Sequence, residues 1–162
     1  MVKKFDCSLA GSDYRELSFR LLYKPNYVPD IIHEVGKLSD TFVHMNKTGE
    51  EMYGVFTDKG LVGFFFIGDI VPEHEGVLFS WFWDRFPHGT IRFMRDYVEQ
   101  IAWKYGLCRI TARTIDDKMH GHILEMCGMK LESRAKWAYK SGGRLQTLYT
   151  YRKLFPVSSN TR

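Results

Sequence analysis

The stretch from Val77 to Ile115 constrains the fold more than any other part of the chain. An apolar run ends near Trp83, a short turn rich in proline and glycine follows, and residues 90–105 place apolar side chains at helical spacing. Leu107 to Ile115 then resumes a strand directly. This order predicts a strand, a turn, a helix and a second strand that lies parallel to the first through a right-handed crossover.

The turn in this unit carries a cluster of basic side chains. Arg85 and His88 lie in the turn, and Arg92 lies in the first turn of the helix. The first N–H groups of a helix lack intrahelical partners, and the macrodipole adds about half a positive charge there. The pattern therefore predicts a site for an anion such as a pyrophosphate. An ordinary strand-to-helix connection with solvated basic side chains is the alternative.

Size and composition favour one folded domain. The chain has 162 residues, and we expect a domain over residues 1–155 with a loose tail at residues 156–162. Three widely spaced cysteines without a CxxC pair favour a reducing compartment. No apolar run reaches the ~20 residues of a membrane span, and the first residues lack the apolar core of a signal peptide. We therefore expect a soluble, cytoplasmic protein with no membrane partner.

The net charge of +4 is unevenly divided along the chain. Residues 1–81 contain 8 Lys and Arg against 12 Asp and Glu, which gives −4. Residues 82–162 contain 15 against 7, which gives +8. The basic half begins where the predicted anion site begins, which suits a phosphorylated ligand or nucleic acid.

The remaining segments show either helical or strand periodicity. Phe64 to Ile67 is apolar on both faces, as in a central strand covered by helices, and Asp58-Lys59-Gly60 gives a hairpin signal before it. Residues 129–140 alternate clearly and are expected to form a half-buried strand. The other predicted elements are strands at Val2 to Cys7, Met52 to Thr57, Leu61 to Gly68 and Arg144 to Leu154, and helices at residues 12–24, 29–42 and 118–127.

The inferred element order resembles that of the GCN5-related N-acetyltransferase (GNAT) family over nearly the whole chain. Ile123 to Met129 is similar to the family's ending of a helix, a glycine and a strand. The resemblance implies an α+β single domain with a mixed, twisted central sheet flanked by helices. It also implies acetyl-CoA as the acyl donor, bound where two parallel strands separate, and an N-acetyltransferase activity.

The resemblance assigns cofactor-binding residues to the strand end and the basic turn. The backbone of Phe82, Trp83 and Asp84 would pair with the pantetheine arm of the donor. The pyrophosphate would be held by Arg85, His88, Gly89 and Thr90.

Glu73 and Glu75 precede the strand that begins at Val77, near the place where the family often deprotonates its amine. Both are therefore candidates for a general base, and a charged loop that faces water is the alternative. The acceptor would be an amine of a small molecule or a protein. It would enter between the Tyr23–Pro29 loop and the Ser141–Arg144 turn.

Several positions depart from the family's pattern. His88 and Thr90 replace small residues of the pyrophosphate loop, Asp116 or Asp117 replaces an asparagine, and Leu124 replaces a tyrosine that protonates the departing thiolate. These departures resemble small phage-encoded GNAT-like proteins, including virion-morphogenesis factors. The alternative function is therefore a non-catalytic assembly factor with a protein partner or a homo-oligomeric state, located in the host cytoplasm or the virion.

Two other ligand classes are disfavoured by spacing. His120 and His122 are two residues apart, do not share a helix face and have no suitably spaced third ligand, so no metal is expected. Basic side chains share one face of the strand at residues 129–140, but Glu132 interrupts that face and the strand's aromatic residues fall on the other. Nucleic acid is therefore an unlikely partner.

Overall fold

The computed structural model describes residues 1–23, 31–116, 118–141 and 143–156. These ranges contain seven strands and four helices, in an order that matches the sequence-based prediction. The elements are β1 Val2–Lys4, α1 Ser12–Tyr23, α2 Ile31–Thr48, β2 Met52–Thr57, β3 Gly60–Val71, β4 Glu75–Phe82, α3 Thr90–Tyr105, β5 Arg109–Thr114, α4 His120–Met126, β6 Lys130–Ser141 and β7 Arg144–Leu154.

The strands form one mixed sheet in the order β1-β2-β3-β4-β5-β7-β6. β4 and β5 are parallel, and the other described strand pairs are antiparallel. Helix α3 makes the crossover between the two parallel strands, as the pattern of residues 77–115 predicts. The α+β architecture is therefore confirmed.

Buried residues form two clusters on opposite faces of the sheet. The α3 cluster includes Phe65 and Ile67 of β3 together with side chains of α3 and α4. The α2 cluster includes Phe64 and Phe66 of β3 together with side chains of α1 and α2. Because strand side chains alternate between faces, β3 is covered on both sides, which confirms the prediction for this apolar run.

The ends of α3 follow the signals in the sequence. The helix spans Thr90–Tyr105, the range predicted from its apolar stripe. Gly106 follows in the left-handed region with φ 63, where its N–H bonds carbonyl groups of the last helical turn. This is the C′ glycine that the sequence predicts.

Helix α4 is shorter than the predicted range of 118–127. It covers His120–Met126, and the carboxylate of Asp116 accepts a hydrogen bond of 3.0 Å from the Met119 amide just before it. Asp117 and residues 157–162 lie outside the described residues.

The prediction of a half-buried strand at residues 129–140 is wrong beyond Leu131. The described side chains from Glu132 to Lys140 are exposed, although they alternate in polarity. β6 is the edge strand beside β7, and its register shifts between Ala135 and Tyr139. Trp137 lies in this bulge with φ 56, and 72% of its surface is exposed. Periodicity alone cannot show whether another layer covers a strand.

None of the helices in the described part of the chain is long and apolar enough to cross a bilayer.

Candidate functional site

Strands β4 and β5 pair only at their first residues. Glu75, Gly76 and Val77 are opposite Arg109, Ile110 and Thr111. β4 then continues to Phe82 and β5 to Thr114 without further pairing between them. We call the space between the two unpaired strand ends the strand opening. Beyond Val77, the β4 edge that faces this opening offers backbone groups without a strand partner.

The alternation of backbone groups shows which residues face the strand opening. The Trp83 amide donates to the Val62 carbonyl of β3 at 3.0 Å, and the Trp83 indole donates to the Leu61 carbonyl at 3.0 Å. Trp83 is thus tied to β3. Because N–H groups alternate between the two edges of a strand, the amides of Ser80 and Phe82 point to the opposite edge, into the opening.

The opening leads to an uncapped helix N-terminus. Gly89 is the N-cap residue of α3 with φ 93, and none of the described side chains caps the helix. The Phe93 amide donates to the Gly89 carbonyl at 2.9 Å and the Thr90 amide donates to the Pro87 carbonyl at 3.2 Å. The amides of Ile91 and Arg92 have no acceptor among the described residues, and no acidic residue occupies the first turn. Such an end favours an anion.

The side chains around this helix end fit an anionic group. Arg85 and His88 are exposed, and a Cβ atom at Gly89 would meet nothing within 4 Å, so the approach to the amides is open. Thr90 is 1% exposed, and its buried hydroxyl has no hydrogen-bond partner among the described residues. A buried hydroxyl without a partner is unusual in a folded protein.

A polar pair crosses the strand opening. The Ser80 hydroxyl of β4 lies 2.7 Å from Nε2 of His120, the first residue of α4, which follows β5 in the chain. Ser80 is 5% exposed. Burial lowers the pKa of the His120 imidazole to about 4, against a smaller opposing effect of the Asp116 carboxylate. His120 is therefore neutral at pH 7.

We expect stability to depend on pH through His120. The unfolded chain binds a proton at His120 below about pH 6.5, whereas the folded protein does so only near pH 4. The free energy of unfolding should therefore fall by up to about 3 kcal/mol between pH 6.5 and pH 4 through this residue. Chemical denaturation of wild type and His120→Gln at several pH values measures the effect. His122→Gln is the control because His122 is exposed. If the free energy of unfolding changes with pH by the same amount in wild type and His120→Gln, the prediction is contradicted.

The arrangement of strands, opening and helix matches known structures. No protein-family model matches the sequence, and no curated protein sequence is significantly similar to it. A ribosomal-protein-alanine N-acetyltransferase from Brucella melitensis has a TM-score of 0.69 and 10% identity, over 96% of this chain and 99% of that chain. A GNAT-family acetyltransferase from Bacillus anthracis has a TM-score of 0.65 and 20% identity, over 94% of this chain and 93% of that chain. The chain has the GNAT fold.

A third solved structure carries a ligand. This ribosomal L7/L12 α-N-protein acetyltransferase, in complex with coenzyme A, has a TM-score of 0.68 and 14% identity, over 94% of this chain and 92% of that chain. At these identities the likeness establishes the GNAT fold and not the activity of this chain.

The other face of β4 carries an aromatic wall. Phe79 stacks on Phe66 with ring centroids 4.9 Å apart, and Trp81 stacks on Phe64 at 5.2 Å. Both β4 residues pack against the α2 cluster and are partly exposed. The two faces of the strand opening in this GNAT fold therefore differ, with a polar pair towards α3 and α4 and flat rings towards α1 and α2.

The structure brings the predicted cofactor-binding residues together. Phe82 is the last residue of β4, Trp83 and Asp84 follow it directly, and the others form the rest of the turn and the start of α3. The Phe82 and Phe86 rings lie 4.8 Å apart, which holds the turn against the strand. The Asp84 carboxylate accepts a hydrogen bond of 2.8 Å from the Arg85 amide, so it contacts the backbone of the turn to which Asp84 itself belongs.

Glu73 and Glu75 lie at the paired end of β4, away from the strand opening. The Glu75 carboxylate is 3.5 Å from the Arg109 guanidinium. The two residues are also opposite each other in the pairing of β4 with β5. The Glu73 amide donates to the Tyr105 carbonyl at the end of α3. Their assignment as a general base stays a prediction. Of the predicted acceptor entrance, residues 24–29 and 142 lie outside the described residues.

Ser80 and His120 are the functional candidates that the sequence argument missed. A lone serine within the apolar run of β4 is the available signal, since a polar side chain at a buried strand position needs a partner. The sequence position of His120, two residues before His122, suggests a role only in metal binding. In the part of the chain that the structure describes, no group of three or more His, Cys, Asp or Glu side chains could hold a metal ion.

Proposed function

We propose that the protein is an acyl-CoA-dependent N-acetyltransferase that transfers the acetyl group of acetyl-CoA to an amine. The observation that supports this most is the strand opening that leads to the uncapped end of α3. Free strand-edge amides suit the amide-containing pantetheine arm, and a helix N-terminus suits a pyrophosphate. One continuous path offers both.

Each of the predicted cofactor-binding residues would contact or support a different part of acetyl-CoA. Arg85 and His88 would supply positive charge to the pyrophosphate, while Gly89 and Thr90 would let it reach the first amides of α3. The Phe82 amide would bond the pantetheine arm. Trp83 and Asp84 hold the strand end and the turn in place through their contacts with β3 and Arg85. When bound, acetyl-CoA would supply the thioester that the amine attacks.

The acceptor is proposed to be an amine whose stem lies on the aromatic side of the opening, at Phe79 and Trp81, and whose nitrogen enters the opening itself. Flat rings there would bind the apolar stem of an amine, or a cationic amine through its charge. Incubation of the protein and acetyl-CoA with polyamines, aminoglycosides and peptides with free N-termini tests this. Release of coenzyme A with at least one class is expected, and no release with any of them would contradict the proposed function.

The general-base assignment is tested separately with Glu73→Gln and Glu75→Gln. A general base contributes roughly 100-fold or more to the rate, so loss of a true base should lower kcat/KM by at least that factor. If kcat/KM in both variants stays within about twofold of wild type, neither residue is the base.

A second function, as an assembly or interaction factor, is favoured by Trp137. A bulky residue in the left-handed region is strained by about 1–2 kcal/mol, and the exposed indole gains no burial in return. Exposed Leu145 and basic side chains at Lys136, Lys140 and Arg144 lie on the same hairpin. Such a hairpin suits a protein partner with an acidic surface, and phage virion assembly is the setting that the sequence resemblance suggests.

We expect Trp137→Gly to raise the free energy of unfolding by about 1 kcal/mol, because glycine adopts a positive φ without strain. Chemical denaturation measures this change. A loss of more than about 1 kcal/mol would show that the indole packs in the folded chain and would contradict an interaction role. Sedimentation of both proteins shows whether the partner is a second copy, since the variant would then dissociate.

A further inference from the structure

Two polar side chains meet in the strand opening from opposite sides. Leu78 and Phe82, the neighbours of Ser80 on its face of β4, both pack in the α3 cluster, so Ser80 is the polar position of an apolar face. His120 reaches it from α4 with its Nε2 atom 2.7 Å from the hydroxyl. The pair thus links β4 to the first residue of α4, and Ser80 lies beyond the last residue of β4 that pairs with β5.

In the proposed binding mode, the reactive end of the donor would lie near this pair. The phosphate groups would lie at the start of α3, beyond Phe82, and the thiol is at the opposite end of the pantetheine arm. An arm that extends from α3 along the free edge of β4 passes Phe82 and then Ser80. The strands close at Val77, three residues or about 10 Å beyond Ser80, and leave no room further on.

We infer that Ser80 and His120 form a proton-carrying pair that faces the sulfur of the acyl donor. This inference rests on the proposed function, since it needs acyl-CoA in the strand opening. Ser80 is assigned as a catalytic residue because its hydroxyl would touch the reacting atoms, and His120 is a positioning residue because it acts through Ser80.

The pair can balance the protons of the transfer. The bond from the amine nitrogen to the carbonyl carbon forms, the carbon–sulfur bond breaks, and the electron pair of that bond leaves on sulfur. The nitrogen becomes strongly acidic as it bonds to carbon, and it loses its proton to the Ser80 oxygen while the Ser80 hydrogen passes to Nε2 of His120. The imidazolium then returns one proton through the Ser80 hydroxyl to sulfur, and the pair is restored.

The environment of His120 suits the second half of this exchange. Because burial lowers its pKa to about 4, the imidazolium is a much stronger acid than a thiol, whose pKa is about 8.5. The proton therefore moves to the sulfur. The low pKa also keeps the imidazole neutral before the reaction, and in the tautomer with its proton on Nδ1 the Nε2 atom accepts a hydrogen bond from the Ser80 hydroxyl.

Calorimetric binding of coenzyme A and of desulfo-coenzyme A, which lacks the sulfur, tests the contact without an acceptor amine. Wild type should bind coenzyme A about tenfold more tightly, the effect of one hydrogen bond to a sulfur that carries partial charge. The preference should fall to within about twofold in Ser80→Ala and in His120→Gln. His122→Gln, on the exposed side of the same helix, should keep it.

The outcomes separate the inference from the proposed function. Equal binding of both ligands by wild type, or an unchanged preference in the Ser80 and His120 variants, would overturn the inference and leave the proposed function standing. Failure of both ligands to bind wild type would overturn both. If either variant does not fold, ¹⁵N NMR of the histidine rings in wild type gives the answer. Coenzyme A should then shift the His120 signals and desulfo-coenzyme A should not, and equal shifts would again overturn the inference.

Discussion

Arg92→Glu is expected to abolish measurable stabilisation of the protein by coenzyme A. The change places a carboxylate in the first turn of α3, next to the amides that would hold the pyrophosphate, and removes a cation there. Loss of a charge-assisted contact together with like-charge repulsion should weaken binding by about 30-fold or more. Because a ligand that binds only the folded state raises the melting temperature, thermal denaturation with and without coenzyme A measures the effect.

Arg95→Glu is the matched control, since it makes the same charge change at an exposed position one turn further along α3. It should retain most of the stabilisation, because the field of the helix end falls off within the first turn. Without ligand, both variants should melt close to wild type. Equal loss of the coenzyme A effect in both variants would indicate attraction by overall charge rather than a site at the start of α3.

Phe65→Ala is expected to lower the free energy of unfolding by about 4 kcal/mol. Phe65 lies in the middle of β3 with 0% exposure, and its ring contacts those of Tyr53 and Tyr97 at 5.6 and 5.7 Å between centroids. Truncation leaves a cavity between the sheet and α3 that the surrounding rings cannot fill. The melting temperature should fall by roughly 12 °C for a chain of this size.

Trp103→Ala is the control for loss of an aromatic side chain. Trp103 is on α3 but 85% exposed, so the expected change is within about 0.5 kcal/mol. Chemical denaturation of both variants gives the comparison. A loss below about 2 kcal/mol for Phe65→Ala would contradict the assignment of this residue to the centre of the core.

The sequence predicted the parts of the fold that depend on local patterns. The bounds of α3 and β7 and the parallel pairing of β4 with β5 are confirmed, because a helical stripe, a terminal glycine and a short connection leave few alternatives. The exposure of β6 could not be predicted, because the same alternation occurs whether or not another layer covers the strand.

The sequence predicted the part of the candidate site whose residues are neighbours in the chain. It did not predict the part that is formed by residues far apart in the chain. The turn from Asp84 to Thr90 joins β4 and α3, so its residues are neighbours in both sequence and space. Ser80 and His120 are 40 residues apart, and their contact follows only from the separation of β4 and β5. Glu75 lies in the paired end of β4 and Glu73 just before it, and the assignment of either residue as a general base stays a prediction.

The central claim is that the strand opening and the start of α3 bind an acyl-CoA. Calorimetric titration with coenzyme A, repeated in Arg85→Ala, tests it most directly. We expect a dissociation constant in the micromolar range and a loss of about tenfold in the variant, the effect of one charge-assisted contact with a phosphate. The absence of binding heat at several temperatures, together with an unchanged melting temperature, would contradict the claim and favour the interaction role of the β6–β7 hairpin.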